Sequence, residues 1–258
     1  MANWLNNRNR HSKMCLSFIQ SETMSICFLE DMIMDRPGRR GSRFNWFQRL
    51  FGRKPPPQPE AVTPSKAGGF PTELDFNNPT MLKQLNEAKK YRGLIEDLAR
   101  RHDFLPSVIC GMGSRESHWG LALTPPGPGG RGDFAQRRPR GNRRTPEPPD
   151  GGGYGRGLLQ IDYDWHEFAR TGSWQKPKEN INYGCTVLEN AQKFFHKKGV
   201  HLSDDQMLRA MIAAYNGGAT ATLNAIQAGQ DIDANTTGKD YSKDVLNRSG
   251  WFQLHGWR

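Results

Sequence analysis

Val108-Ile109-Cys110-Gly111-Met112-Gly113-Ser114-Arg115-Glu116-Ser117-His118 is the stretch on which the reading of this chain turns. Pro106 suits the first turn of a helix, and Leu105, Val108, Ile109 and Met112 fall on one helical face. Glu116 lies four residues beyond Met112, so a helix carries it toward the same buried face. A carboxylate there is costly to ionise, and desolvation raises its pKa. A carboxylic acid that holds its proton near neutral pH is suited to general acid catalysis. The alternative is a helix-end Glu in a surface ion pair, the commoner fate of a lone Glu.

Outward from this stretch the pattern stays helical. Leu82, Leu85, Ala88, Tyr91, Ile95 and Leu98 predict one amphipathic helix over 80–102. Ile181, Cys185, Val187, Leu188, Ala191, Phe194 and Phe195 predict the longest helix after residue 150, over 178–197. Ser203 and Gln206 form a capping box. It opens a helix containing Met207, Leu208, Met211, Ile212, Ala214 and Tyr215. A short Ala-rich helix is expected over 219–227, and a last one over 240–255 with Val245, Leu246 and Phe252. Residues 153–163 are Gly-spaced and then apolar, as in a short hairpin or extended turn. No internal repeat is present. The expected fold is mainly α with one small β element.

The chain of 258 residues is long enough for one sizeable domain or two small ones. Its 35% hydrophobic content, 28 Gly and 17 Pro imply that part of it does not fold. The net charge of +10 is uneven: residues 1–66 carry +6 and residues 131–144 carry +5, leaving −1 for the rest. Residues 1–78 therefore read as a basic, largely disordered tail and Pro-rich linker, and residues 79–258 as the catalytic domain. Within the tail, Phe44, Phe47, Leu50 and Phe51 share a helical face among Arg43, Arg49, Arg53 and Lys54. That pattern suits an anionic membrane surface, or else a loosely packed tail. Pro55-Pro56-Pro57-Gln58-Pro59 reads as a stiff linker. Residues 121–152 are rich in Pro, Gly and Arg and are expected to be a long exposed loop or disordered insertion. Such a segment attracts nucleic acid or anionic wall polymers, or simply stays solvated.

Cys15, Cys27, Cys110 and Cys185 make no CxxC pair and have no His cluster nearby, so neither a metal site nor a cofactor is expected. Cys110 and Cys185 are expected to be buried thiols, able to bridge only if their helices touch. No secretory signal is evident at Met1. The apolar run from Met24 to Met34 is broken by Glu30 and Asp31 and is too short to span a membrane. Met34, followed directly by an Arg-rich segment, is an alternative start.

Four motifs occur in order: Ser114-Arg115-Glu116-Ser117-His118, then Gly153-Tyr154-Gly155-Arg156-Gly157-Leu158-Leu159-Gln160-Ile161-Asp162, then Ala213-Ala214-Tyr215-Asn216-Gly217-Gly218, then Thr236-Thr237-Gly238-Lys239-Asp240-Tyr241. Together they resemble the goose-type lysozymes over roughly residues 80–257. Several also occur in the related lytic transglycosylases. The resemblance implies a lysozyme-like α+β domain with its β element at the active-site cleft. It implies a muramidase cleaving the β-1,4 bond between N-acetylmuramic acid and N-acetylglucosamine by inversion. The alternatives are a lytic transglycosylase that leaves 1,6-anhydromuramic ends, and a non-catalytic protein binding saccharide or nucleic acid on the same scaffold.

The resemblance makes Glu116 the proton donor and assigns the attacking water to one or two Asp residues. Asp162 matches the second of these without a gap. Asp150 matches the first if one extra Gly is allowed, and Asp133, beside Gly132 and Arg131, is its rival; Asp150 is preferred for its distance to Asp162. Gln160, His166, Tyr215, Asn216 and Tyr241 fall on positions that the family uses around its saccharide subsites. Asn216 alternatively serves as a turn residue. His118 is expected to be structural, and Trp119 to flank the acid. The implied partner is peptidoglycan or a chitooligosaccharide, with an anionic surface as a second partner for the basic tail and insertion; no specific protein partner is inferred. Such a substrate lies outside the cell or in a periplasm.

Overall fold

A computed structural model describes residues 69–135 and 148–258. The chain divides into two units, Met1–Lys54 and Pro55–Arg258, and all described residues belong to the second. The amphipathic segment 43–54, the Pro-rich linker and most of the Arg-rich insertion lie outside the described residues.

Eight α-helices and a three-stranded sheet make up the described residues. In chain order they are α1 Pro79–Lys89, α2 Arg92–Arg101, α3 Pro106–Ser117, β1 Arg131–Gly132, β2 Gly155–Arg156, β3 Ile161–Asp162, α4 Glu167–Thr171, α5 Pro177–Lys197, α6 Asp204–Gly217, α7 Ala219–Gln227 and α8 Tyr241–Leu254. A 3-10 turn, Thr237–Lys239, precedes α8. No helix among the described residues is long and apolar enough to cross a membrane.

The centre of the domain is α3, buried on nearly all sides from Ser107 to Ser114. Its Gly111 permits a close crossing with α8, where an added Cβ would meet Ser249 Oγ and Val245 O. Ile109 and Met112 on α3, Val245, Trp251 and Phe252 on α8, and Ile212 on α6 share one core. Each such side chain contributes roughly 1.5–3 kcal/mol by leaving water. The capping box at Ser203 and Gln206 is formed, with Gln206 N donating to Ser203 Oγ at 3.3 Å and Ser203 N to Gln206 Oε1 at 3.1 Å.

Three features depart from the periodicity. The helix expected over 80–102 is two helices, broken at Lys90 and Tyr91. There Lys90 N bonds Glu87 O at 3.1 Å and Tyr91 N bonds Ala88 O at 2.9 Å, three residues back rather than four. This tightened turn swings the Tyr91 ring to 6.1 Å from that of Trp119. Residues 69–78, read as linker, lie against α8: Phe70 N donates to Gln253 Oε1 at 2.6 Å, and Trp251 Nε1 donates to Asp75 O at 2.8 Å. Within the stretch read as an exposed insertion, Arg131 and Gly132 form β1 and pair with Arg156 and Gly155. Glycines at the crossings let these backbones approach closely, a cue that apolar periodicity does not register.

Cys110 and Cys185 are both buried thiols and are not bridged. Burial pushes the Cys110 thiol well above its ordinary pKa and that of Cys185 up to about 12.

Candidate active site

Glu116 sits in the last turn of α3. The helix stops because His118 and Trp119 both adopt left-handed backbone, with φ of 50° and 56°. His118 N then donates to Ser114 O at 3.2 Å and Trp119 N to Gly113 O at 3.0 Å, satisfying two carbonyls of the helix end. The same reversal turns the Trp119 indole inward. It packs on Gly113, and its Nε1 donates to Cys110 O at 3.1 Å. Trp119 is thus a core residue and does not flank the acid as expected. His118 remains on the surface as the helix cap.

Glu116 keeps part of its surface exposed, yet burial is the largest cause that raises its carboxyl from 4.5 to about 7. The Tyr241 O–H, which donates to Glu116 Oε1, and the Arg115 charge pull it down; the negative charge of Asp133 pushes it up. Arg115 is itself held by Asp244 at 2.8 Å and Asp240 at 3.5 Å. Tyr215 on α6 also lies within reach of the Glu116 charge, and its O–H donates to Leu159 O at 2.6 Å. Both phenols are pushed well above the ordinary range, so both remain proton donors at neutral pH.

Tyr241 is the first residue of α8, and the buried Asp233 fixes that end. Asp233 Oδ1 accepts from Ser242 N at 2.8 Å, and Oδ2 accepts from Ser242 Oγ at 2.6 Å and Arg209 Nη2 at 3.2 Å. A carboxylate at a helix N-terminus is favoured by the exposed N–H groups there.

The sheet supplies the aspartates. Asp133 follows β1 directly, in left-handed backbone with φ 53°. Asp162 ends β3 opposite Gly155. Asp162 Oδ1 accepts from Asp164 N at 2.8 Å and from Trp165 N at 3.2 Å, and its carbonyl accepts from His166 N at 3.0 Å. His166 Nδ1 lies 3.2 Å from the Tyr183 hydroxyl; burial lowers its pKa, and the Asp162 charge opposes that shift. Gln160 lies across the ribbon, where a Cβ at Gly132 or Gly155 would land on its Oε1, and its Nε2 donates to Gly157 O at 2.8 Å. Asn216, exposed in the last turn of α6, accepts from Thr237 N at 2.8 Å through Oδ1. It therefore joins the α6 end to the turn before α8.

Two sets of side chains emerge. Tyr215, Tyr241 and the charge of Asp133 surround Glu116; Gln160, Asp162 and His166 lie just before β3, at its end and in the loop after it. Asp150 belongs to neither. Its Oδ1 accepts from Arg156 Nη2 at 3.0 Å, its Oδ2 lies 3.4 Å from Arg131 Nη1, and its carbonyl accepts from Arg131 Nη1 at 2.9 Å. The aspartate among the causes of the Glu116 shift is Asp133.

Residues that sequence reasoning missed hold the floor of the site. Asn180 on α5, fully buried, accepts from Leu159 N at 2.8 Å and donates to Arg156 O at 2.9 Å. Ser117 Oγ donates to Leu158 O at 2.7 Å. These bonds, with that of Tyr215, pin residues 156–159 to α3, α5 and α6. The Ser117 position inside the first motif was the one available cue; Asn180 had none.

The family model described as Lysozyme g matches residues 81–256. The chain is 31% identical over 175 residues to lysozyme g of Gallus gallus, covering 68% of this chain and 69% of that one. It is 29% identical over 175 residues to lysozyme G of Dromaius novaehollandiae, covering 68% and 72%. It is 26% identical over 169 residues to lysozyme g-like protein 2 of Homo sapiens, covering 66% and 64%.

Proposed function

The chain belongs to the lysozyme g family, and from that premise we propose that it is a muramidase that hydrolyses the β-1,4 bond between N-acetylmuramic acid and N-acetylglucosamine in peptidoglycan, with inversion. The observation that carries this reading is the Glu116 carboxyl, raised to about 7 by burial and met by the Tyr241 O–H. A group with that pKa is protonated enough near neutrality to act as an acid and weak enough in its hold to release the proton.

In the proposed step Glu116 gives its proton to the bridging oxygen as the C1–O bond breaks. Water attacks C1 from the opposite face, forming the new C1–O bond and passing its proton to a carboxylate. We assign the water to Asp133 and Asp162. Support for Asp133 is its charge acting on Glu116; support for Asp162 is its place at the same end of the sheet, on β3 beyond β2, oriented by two backbone N–H groups. Asp150 is set aside because two arginines engage its carboxylate. Gln160, His166, Tyr215 and Asn216 would meet the sugar's hydroxyl and N-acetyl groups, each already oriented by the bond described above.

Clearing of peptidoglycan by the purified protein and by Glu116→Gln, followed by analysis of the new ends, tests this. Reducing ends that are initially α-anomeric, lost in the variant, are expected. 1,6-Anhydromuramic ends would identify a transglycosylase instead. Chitooligosaccharide binding with no turnover at any pH would identify a non-catalytic saccharide binder.

A further inference from the structure

Arg156 on β2 is fully buried, a rare place for a guanidinium. Its Nη1 donates to Gly152 O at 3.1 Å and its Nη2 to Asp150 Oδ1 at 3.0 Å, while its Nε has no hydrogen-bond partner among the described residues. The rings of Tyr163 and Trp174 lie 4.9 and 5.4 Å from its Cζ. Arg131 is its cross-strand neighbour on β1 and reaches the same carboxylate. Like charges directly opposite on adjacent strands repel. Asp150, between them, converts that repulsion into an ion cluster of three among the described residues.

The position of this cluster matters more than its charge. The chain leaves the ribbon at Asp133, two residues beyond Arg131, and returns at Asp150. Asp133 O accepts from Tyr154 N at 2.8 Å on the returning strand. Gly152 and Gly153 let that strand pass close by: a Cβ on the first would meet the Arg131 guanidinium at 3.0 Å, and on the second it would meet Gly132 O. Fastening the return to Arg131 and Arg156 therefore fastens the departure.

We propose that Asp150, Arg131 and Arg156 form a charge clamp that positions Asp133 for the reaction, and that Asp150 is a positioning residue that does not touch the water. The proposal rests on the reading of Asp133 as a water-holding carboxylate. Once Asp150 is lost, a buried guanidinium stands beside a second arginine without its counter-charge, and the ribbon shifts to hydrate it.

The test compares four forms of the full chain on peptidoglycan: wild type, Asp150→Asn, Asp150→Glu, and Asp150→Asn combined with Arg156→Met. It measures kcat, KM, Tm and the titration of the Glu116 carboxyl by NMR. Asp150→Asn is expected to lower kcat about 10²-fold, the scale of a misplacement of about 1 Å, with KM little changed. It should also lower Tm and move the Glu116 titration to lower pH as Asp133 drifts away. Asp150→Glu restores the carboxylate to the arginines and should recover most of kcat. The double variant removes the stranded charge and should recover Tm and part of kcat. A proton-accepting Asp150 gives the opposite pattern: Asp150→Glu as slow as Asp150→Asn, or a double variant that regains Tm without kcat. Either result overturns the clamp. No turnover by the wild type sinks the hydrolase reading separately. The clamp is then decided by Tm and the Glu116 titration, and no change in Asp150→Asn would overturn it.

Discussion

Glu116 is held by α3, α6 and α8, whereas Asp133 and Asp162 are held by strands of two residues each. On the helical side the carboxyl is fixed by burial, by the Tyr241 O–H and by a core of large side chains. On the sheet side there is little to bury, and placement comes from glycines, buried amides and ion pairs. In the proposed reaction the helical side controls when a proton is available, and the sheet side controls where a water would sit. Substitutions on the first should therefore act chiefly on pH profiles, and substitutions on the second chiefly on rates, with Asp133 the exception whose charge reaches Glu116.

The largest expected effect is that of Glu116→Gln, which should nearly abolish turnover on peptidoglycan, since among the described residues no other carboxyl takes its place at the end of α3. The same variant should be the more stable protein at high pH. The folded pKa of Glu116, about 7, lies above its unfolded 4.5, so between those values the folded state binds more protons. Stability contributed by this group is full below about pH 4.5 and declines until about pH 7, by roughly 2–3 kcal/mol. Thermal melts of both forms should thus diverge in favour of Gln across that window. Parallel melts would mean that Glu116 is not buried as described.

Next come the aspartates. Asp133→Asn and Asp162→Asn should each slow turnover, Asp133→Asn also drawing the alkaline limit to lower pH because its charge helps Glu116 hold its proton, and the double variant should lose clearly more, on the scale of about 10²–10⁴-fold for base assistance. Full activity in the double variant would break the division of labour between the two sides. A smaller effect is expected from Tyr241→Phe. The phenol stabilises the ionised carboxylate, so its loss should raise the Glu116 pKa and extend activity to higher pH, with a modest change in rate. A downward move of the alkaline limit would show that Tyr241 acts by another route. Smallest for chemistry, though not for stability, is Asn180→Ala. It strands Leu159 N and Arg156 O, each at a cost of about 1–3 kcal/mol, and urea melts should record the loss.

The helical side was legible in the sequence because its information is local. Glu116 follows Met112 by one helical turn, and the Ser203 cap and the 219–227 helix were readable from a few adjacent residues. The sheet side was legible only in part: the hairpin within 153–163 was readable from its glycines, and the pairing of β1 with it was not. Asp133 and Asp150 stand on either side of an Arg-rich stretch of sequence, and spacing along a chain says nothing of which of them acts on the acid. Arg156 looked like one member of a motif, yet its burial creates the need for Asp150. Asn180 sits next to Ile181 on α5, and nothing in its neighbours distinguishes a buried amide from a solvated one. Trp119 was misplaced for a related reason: two successive left-handed residues reverse the chain, and neither is a glycine.

The two unbridged thiols carry a consequence for where such a fold can work. Cys110 and Cys185 are shielded from solvent and hold their protons far above neutral pH, so the nucleophilic thiolate is scarce and oxidants have little to attack. The described core is held without covalent cross-links, so its stability is expected not to follow the redox poise of its surroundings. Added reductant should leave its melting temperature where it was, and the domain should fold equally well in a reducing interior and in an oxidising exterior.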